Sequence, residues 1–115
     1  MTTIPSSAIS RMGMQAAAKQ QKASAHNVSN LNTDGFEAVE VVQQSEESGG
    51  VTTEVRETGA PNPLLLRDGQ LVAGSNTDLV RETINQVAAL ASYRANAAAF
   101  RAADEMTDEL LDTLA

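Results

Sequence analysis

From Asp78 to Ala115 the sequence contains neither proline nor glycine. Opened by the step Ser75-Asn76-Thr77-Asp78, this run predicts one helix of roughly 57 Å at 1.5 Å per residue. That is too long for the rest of a 115-residue chain to cover. Ser75 as N-cap would place Asp78 at the third helical position, where a carboxylate accepts from free amides and favours the positive end of the helix dipole. Val80, Ile84, Val87, Ala91, Ala95, Ala98 and Ala102 form one apolar stripe along the helix. Leu79, Leu90, Tyr93, Ala97 and Phe100 form a second beside it, giving wider apolar cover than the single sector of an ordinary surface helix. Arg94 and Arg101 fall between the stripes, so they either snorkel outward or meet carboxylates of another chain. Beyond Met106, Leu110, Leu111 and Leu114 continue among acids as an amphipathic tail. A helix with two apolar stripes calls for neighbours on two sides.

A second helix is expected over residues 7 to about 31, which hold no proline or acid and one glycine, Gly13. Ala16, Ala17 and Ala18 give it high helix propensity. Met14, Gln21 and Val28 fall seven apart, as do Ala17, Ser24 and Leu31, a heptad-like stripe of mostly small residues. Small residues let backbones approach closely at the expense of buried area, which suits a tight bundle; an ordinary amphipathic helix on its own core is the other reading. The helix closes on AHNVSNLNTDGF, with amides at Asn27, Asn30 and Asn32. Asparagine competes with the backbone for hydrogen bonds and favours caps and turns. Asn32-Thr33-Asp34-Gly35 is expected to turn the chain through a positive φ at Gly35, and Phe36 to pin the exit.

Between the helices, FEAVEVVQQ and GVTTEVRE carry β-branched residues in partial alternation around Ser45–Gly50 (SEESGG). They predict a short hairpin over about 37–44 and 50–57. The following stretch to residue 73 holds Pro61 and Pro63, with a run Leu64–Leu66 too short for anything but an extended segment, and a turn at Arg67-Asp68-Gly69-Gln70. The fold class is therefore mainly α: two long terminal helices, pairing antiparallel, joined by a short β-hairpin and an extended linker. One domain overall is expected, divided into residues 1–36, 37–73 and 74–115.

Composition narrows the function. Nineteen residues are alanine, and Tyr93, Phe36 and Phe100 are the only aromatics. Leu, Ile, Val and Phe make up about 21% of the chain, near the level below which highly charged chains tend to be disordered. The isolated chain is expected to be marginal and to complete its folding on a partner. A net charge of −7 leaves no basic excess to neutralise phosphates, which argues against nucleic acid. Residues 1–33 hold Arg11, Lys19 and Lys22 and no acid, whereas Asp104, Glu105, Asp108, Glu109 and Asp112 meet no base in the last twelve positions. The two ends would attract if adjacent, or each is a solvated face.

No chemistry-bearing constellation is legible. Without cysteine there is neither a disulfide framework nor a thiolate metal site. His26 has no second imidazole to share a metal with, no Gly-x-Ser-x-Gly elbow occurs, and Gly49-Gly50 lacks the lysine and helix of a phosphate loop. The carboxylates of 104–112 have helical spacing without a calcium-encircling loop. No catalytic, cofactor or metal residue is assigned, and neither a cofactor nor a small-molecule substrate is expected. A membrane span and a cleaved secretory signal are likewise not expected.

Taken together, AHNVSNLNTDGF and GSNTDLVRE…SYRANAAAFRAADEMTDELLDTL resemble the bacterial flagellar basal-body rod protein family, the rod and hook axial proteins. Ala25, Asn27, Asn30, Thr33, Gly35 and Phe36 match the family's first-helix ending; Ser75, Asn76, Asp78, Leu79, Val80, Glu82, Tyr93, Asn96, Ala103, Asp104, Glu105 and Met106 match its last helix. His26, Ser29, Thr77 and Glu37 depart from it. The short middle is most like the proximal rod subunit.

The resemblance implies a structural subunit that self-assembles through its terminal helices into a helical tube transmitting torque. It implies export through the flagellar type III apparatus without a cleaved signal, and a place in the periplasmic rod of the basal body. The implied partners are other rod subunits and copies of itself. The implied assembly motif comprises Asn27, Asn30, Asn32, Thr33, Gly35, Phe36, Ser75, Asn76, Asp78, Tyr93, Asn96, Asp104, Glu105 and Met106. An antiparallel pair would bring Arg11 near the acidic 104–112 stretch. The alternative function is a helical adaptor or export-associated binding protein in the cytoplasm.

Overall fold

Two helices of unequal length run antiparallel; the chain between them leaves from one end of the pair, and its first hairpin lies back along the first helix, where Val51, Thr52 and Thr53 sit beside Met12, Gln15, Ala16 and Lys19. The computed structural model describes residues 5–114; the expected segment ends at residues 1–4 and 115 lie outside them. Helix α1 is Ser6–Ser29 and helix α2 is Leu79–Leu114. Strands β1 (Val39–Ser45) and β2 (Val51–Glu57) form one antiparallel hairpin, with Val39 opposite Glu57 and Ser45 opposite Val51. Strands β3 (Leu64–Arg67) and β4 (Gln70–Ala73) form another, with Leu66 opposite Leu71. The helix pair and the first hairpin match the sequence reading. The Leu64–Leu66 run is a strand rather than a plain extended linker: the turn at Asp68 (φ 49) and Gly69 (φ 80) folds it back onto residues 70–73.

The helices meet along small and polar residues. On α1, Ser10, Ala17 and Ser24 fall seven apart and are buried, with Ala16 and Asn27 beside them. The facing positions of α2, Glu82, Ala89, Asn96 and Ala103, also fall seven apart, and Glu82 and Ala89 are buried. A side chain on Gly13 would come within 2.5 Å of Asn96 Oδ1, so glycine sets the closest approach of the pair. This seam corrects the sequence reading in part. Ala17 and Ser24 face α2 as the heptad required, whereas both large-residue stripes of α2 stay outside it, with Val80, Ile84, Val87, Leu90, Tyr93 and Phe100 all exposed. Among the described residues the buried apolar side chains are Ala16, Ala17, Ala38 and Ala89.

A surface this open has a measurable size. A compact monomer of 12.1 kDa would expose about 6,000 Å² and have a radius of gyration of about 13 Å. This chain exposes 8095 Å², has a radius of gyration of 19.8 Å and measures 77 × 27 × 14 Å.

Two local expectations are revised. The N-cap of α2 is Asp78, whose Oδ1 accepts from the amides of Val80 (3.0 Å) and Arg81 (3.3 Å). Ser75 does not cap, because its hydroxyl is engaged with Thr77 ahead of the helix. Nor does Arg11 meet the acidic tail. The antiparallel register sets Gly13 against Asn96, so residues 104–110 lie beside Pro5–Ser7. The ion pairs among the described residues are Arg56–Glu40 (2.9 Å) and Arg67–Asp34 (3.0 Å).

At the base of the first hairpin the Glu37 carboxyl, by side-chain hydrogen bonding and then by its charge, raises the pKa of Glu57 above the ordinary carboxylate value.

Candidate functional site

The end of α1, the two hairpins and the start of α2 are tied into a neck by three asparagine side chains. Asn27, 1% exposed, sits in the last turns of α1. Its Nδ2 donates to Val39 O (2.7 Å) and Glu82 Oε1 (3.0 Å), and its Oδ1 accepts from Val39 N (2.9 Å). One short amide thus satisfies both main-chain groups of the residue that opens β1, as a neighbouring strand would. Asn76 repeats the device: its Oδ1 accepts from Ala38 N (2.6 Å) and its Nδ2 donates to Ala60 O (2.9 Å). Asn62 donates to both Phe36 O (3.0 Å) and Gly74 O (2.7 Å).

Hydroxyls and backbone complete the junction. Thr77 Oγ1 donates to Asn27 O (3.1 Å), Ser24 Oγ to Glu82 O (3.1 Å), and Asn76 N to Phe36 O (3.2 Å). Gly35 has φ 73 and donates its amide to Ala73 O at 2.8 Å, bringing the end of β4 against the turn after α1. The positive φ expected there is present. Phe36 packs edge-on against His26, their ring centroids 5.5 Å apart. Glu82 is buried, and its Oε2 has no hydrogen-bond partner among the described residues. Burying a half-satisfied carboxylate costs stability, so the Asn27–Glu82 contact specifies a geometry more than it adds energy.

The expected motif residues therefore divide. Asn27, Gly35, Phe36 and Asn76 converge on the neck, with Ser75 and Asp78 at its α2 side. Asn30 closes the end of α1, its Nδ2 donating to His26 O (2.9 Å) while Thr33 Oγ1 donates to Asn30 Oδ1 (3.1 Å). Asn32 lies exposed on the same turn. Asn96 faces Gly13 along the seam, its amide also donating to Ser92 O (2.9 Å). Tyr93 lines a groove between the helices with Ala17, Ala18, Lys22, Ala25 and Leu90. Asp104, Glu105 and Met106 are exposed on the far arm of α2, away from the neck.

Asn62 escaped the sequence reading, although its place between Pro61 and Pro63, which fix the backbone around it, is the signal that could have found it. Glu82 was matched to a family position without a role. Its spacing of seven from Ala89 marks it as an acid on a face of otherwise small residues.

What this arrangement can do is mechanical. The neck holds two helices at fixed register, lays the β1–β2 hairpin along α1 and projects the β3–β4 hairpin free of both helices, leaving the apolar faces of α2 open. Residues 9–36 match the family model described as flagella basal body rod protein, and residues 69–113 match the model for the C-terminal region of the flagellar basal body rod FlgEFG proteins. The two matches occur in chain order and together cover more than half of the chain. No curated protein matches the chain significantly.

Proposed function

Because the chain belongs to the flagellar basal body rod protein family, a family of structural proteins of the flagellar basal body, we propose that it polymerises through α1 and α2 into a helical tube that transmits torque. The observation that carries this reading is the unburied surface. The chain exposes 8095 Å², roughly 2,000 Å² more than a compact monomer of its mass, and much of its exposed apolar surface is on α2, where Leu79, Val80, Ile84, Val87, Leu110, Leu111 and Leu114 face solvent. Obligate assemblies bury total areas of this order, and apolar faces of this extent mark interfaces. One stripe, with Val80, Ile84 and Val87, lies on the face of α2 turned away from α1, and the other, with Leu90 and Tyr93, borders the α1–α2 groove, so the two can contact different neighbours, as a subunit in the wall of a tube requires.

On this reading the partners are copies of the chain and other rod subunits. The short middle segment suits the proximal rod, and the chain reaches the periplasm through the flagellar type III export apparatus. The amide neck keeps the hairpins in place while load passes along the helices: its hydrogen bonds join four segments of the chain, so no one of them can move alone. The residues named as the assembly motif act here as shape-givers, not as chemistry.

Deleting the gene and imaging basal bodies tests the proposal. Truncated rods and loss of motility, both restored by the intact gene, are expected. Full-length rods and normal swimming in the deletion strain would refute it.

A further inference from the structure

The β3–β4 hairpin presents an apolar face that nothing in its own chain covers. Residues opposite one another in an antiparallel pair share a face, so Leu64, Leu66, Leu71 and Ala73 lie together on one side of the ribbon. The three leucines are 70%, 72% and 69% exposed. Leu65, on the other side, lies over Gly74, where any side chain would collide with it. Among the described residues the hairpin packs against neither helix nor the other hairpin. Hydrogen bonds hold its base, from Gly35 N to Ala73 O, from Gly74 N to Pro63 O and from Asn62 Nδ2 to Gly74 O, and the exposed Arg67–Asp34 pair tethers it near the turn. An isolated two-stranded ribbon is marginal in water without an apolar partner.

The same chain carries a receptor of matching chemistry. The groove between α1 and α2, about 530 Å³ in volume, is lined mainly by alanines with Leu90 and Tyr93, and its polar lining is Gln21, Lys22 and Gln86. Neither hairpin contributes to it. Lys22 has no ion-pair partner among the described residues, and neither has Asp68 at the tip of the β3–β4 ribbon.

We propose that the leucine face of the β3–β4 hairpin of one copy seats in the α1–α2 groove of a second copy, with Asp68 beside Lys22. This rests on the reading of the chain as a polymerising rod subunit and adds the contact that sets direction. Plug and socket are different surfaces of one molecule, so the contact is heterologous, and repeating it generates an open helix wherever the rotation between copies does not close into a ring. Apolar side chains in an alanine-lined socket supply the contact area, and the Asp68–Lys22 pair fixes which way the ribbon enters.

The absence of cysteine makes the test clean. Two full-length copies, Leu66→Cys and Ala25→Cys, are expressed together in place of the native chain, and isolated basal bodies are treated with a short bis-maleimide. A crosslinked dimer that requires both variants is expected. Basal bodies that contain both copies but give no mixed dimer would overturn the docking, as would Leu66→Cys coupling instead to a different rod protein. Both results leave the rod reading standing, whereas absence of the chain from basal bodies would overturn the two together. In parallel, Asp68→Lys and Lys22→Glu are each expected to reduce incorporation by at least about tenfold, and the double variant to restore it. Failure of the double variant to restore it, with both proteins folded by circular dichroism, would also overturn the proposal.

Discussion

Replacing Asn27 with aspartate changes almost no volume and reverses one end of the side chain. In the native neck Nδ2 donates to Glu82 Oε1 at 3.0 Å and to Val39 O at 2.7 Å. In Asn27→Asp a carboxylate oxygen takes its place and faces two acceptors. Two unit charges 3.0 Å apart repel by roughly 5–6 kcal/mol at an effective dielectric constant of about 20. Protonation of one carboxyl is the cheaper escape: holding an acid of ordinary pKa near 4 protonated at pH 7 costs about 4 kcal/mol. The loss at neutral pH is therefore expected to be about 4 kcal/mol, with little relief from relaxation because Asn27 is 1% exposed. The sign with pH follows. The pair's raised folded-state pKa means that the folded protein binds the extra proton more tightly than the unfolded chain, so the loss shrinks as pH falls, by about 2.7 kcal/mol between pH 7 and pH 5. Urea denaturation followed by circular dichroism at both pH values measures it, and exchange of the Val39 amide reports the site itself. Glu82→Gln alone is expected to be neutral or slightly stabilising, since Oε1 can still accept from Asn27 while the half-satisfied charge is removed. In the double variant the amide introduced at position 82 can donate to the carboxylate introduced at position 27, removing the charge repulsion and recovering part of the loss, while Val39 O remains without its donor. An Asn27→Asp loss that is the same at pH 5 and pH 7, or that Glu82→Gln does not relieve, would refute the reasoning.

Gly13→Ala gains up to about 1 kcal/mol of helix propensity but drives a methyl to 2.5 Å from Asn96 Oδ1, so it is expected to destabilise the pair alone and to stabilise it when combined with Asn96→Ala; thermal melts of the three variants check this. Gly35→Val is expected to cost about 1–2 kcal/mol through its positive φ, and Gly35→Asn much less, since no atom crowds the position; equal stability of the two by urea denaturation would contradict it. Glu57, whose pKa Glu37 raises, favours the fold at low pH and loses that contribution as pH rises through the raised value. Glu37→Gln is expected to return the Glu57 titration to the ordinary carboxylate range, read by carboxyl NMR.

The two helices and the first hairpin were legible because their signals are local: a run without proline or glycine, an alanine-rich stretch, alternation around SEESGG. The seam was not, because periodicity searches follow large apolar residues and here those face outward, while Glu82, Ala89, Asn96 and Ala103 face α1. Leu64–Leu66 gave no alternation to mark a strand, and its pairing is set by the Asp68-Gly69 turn. Ser75 and Asp78 are both good caps in sequence. The choice between them is tertiary, since Ser75 bonds Thr77 while Thr77 in turn bonds the carbonyl of Asn27. The amides of AHNVSNLNTDGF suggested a helix end, and the neck gives Asn27 a reason to be an amide: only a side chain that donates and accepts at one point can hold Val39 by both of its main-chain groups.

The most direct test of the account is a density map of the assembled rod resolved to side chains, with this chain located in it. The account predicts α1 and α2 in the wall of the tube, paired along Ser10, Ala17, Ser24 and Glu82, Ala89, Asn96, with Val80, Ile84, Leu110 and Leu114 buried against neighbouring subunits. A rod in which this helix pair is absent, or in which those four side chains remain in contact with solvent, would contradict it.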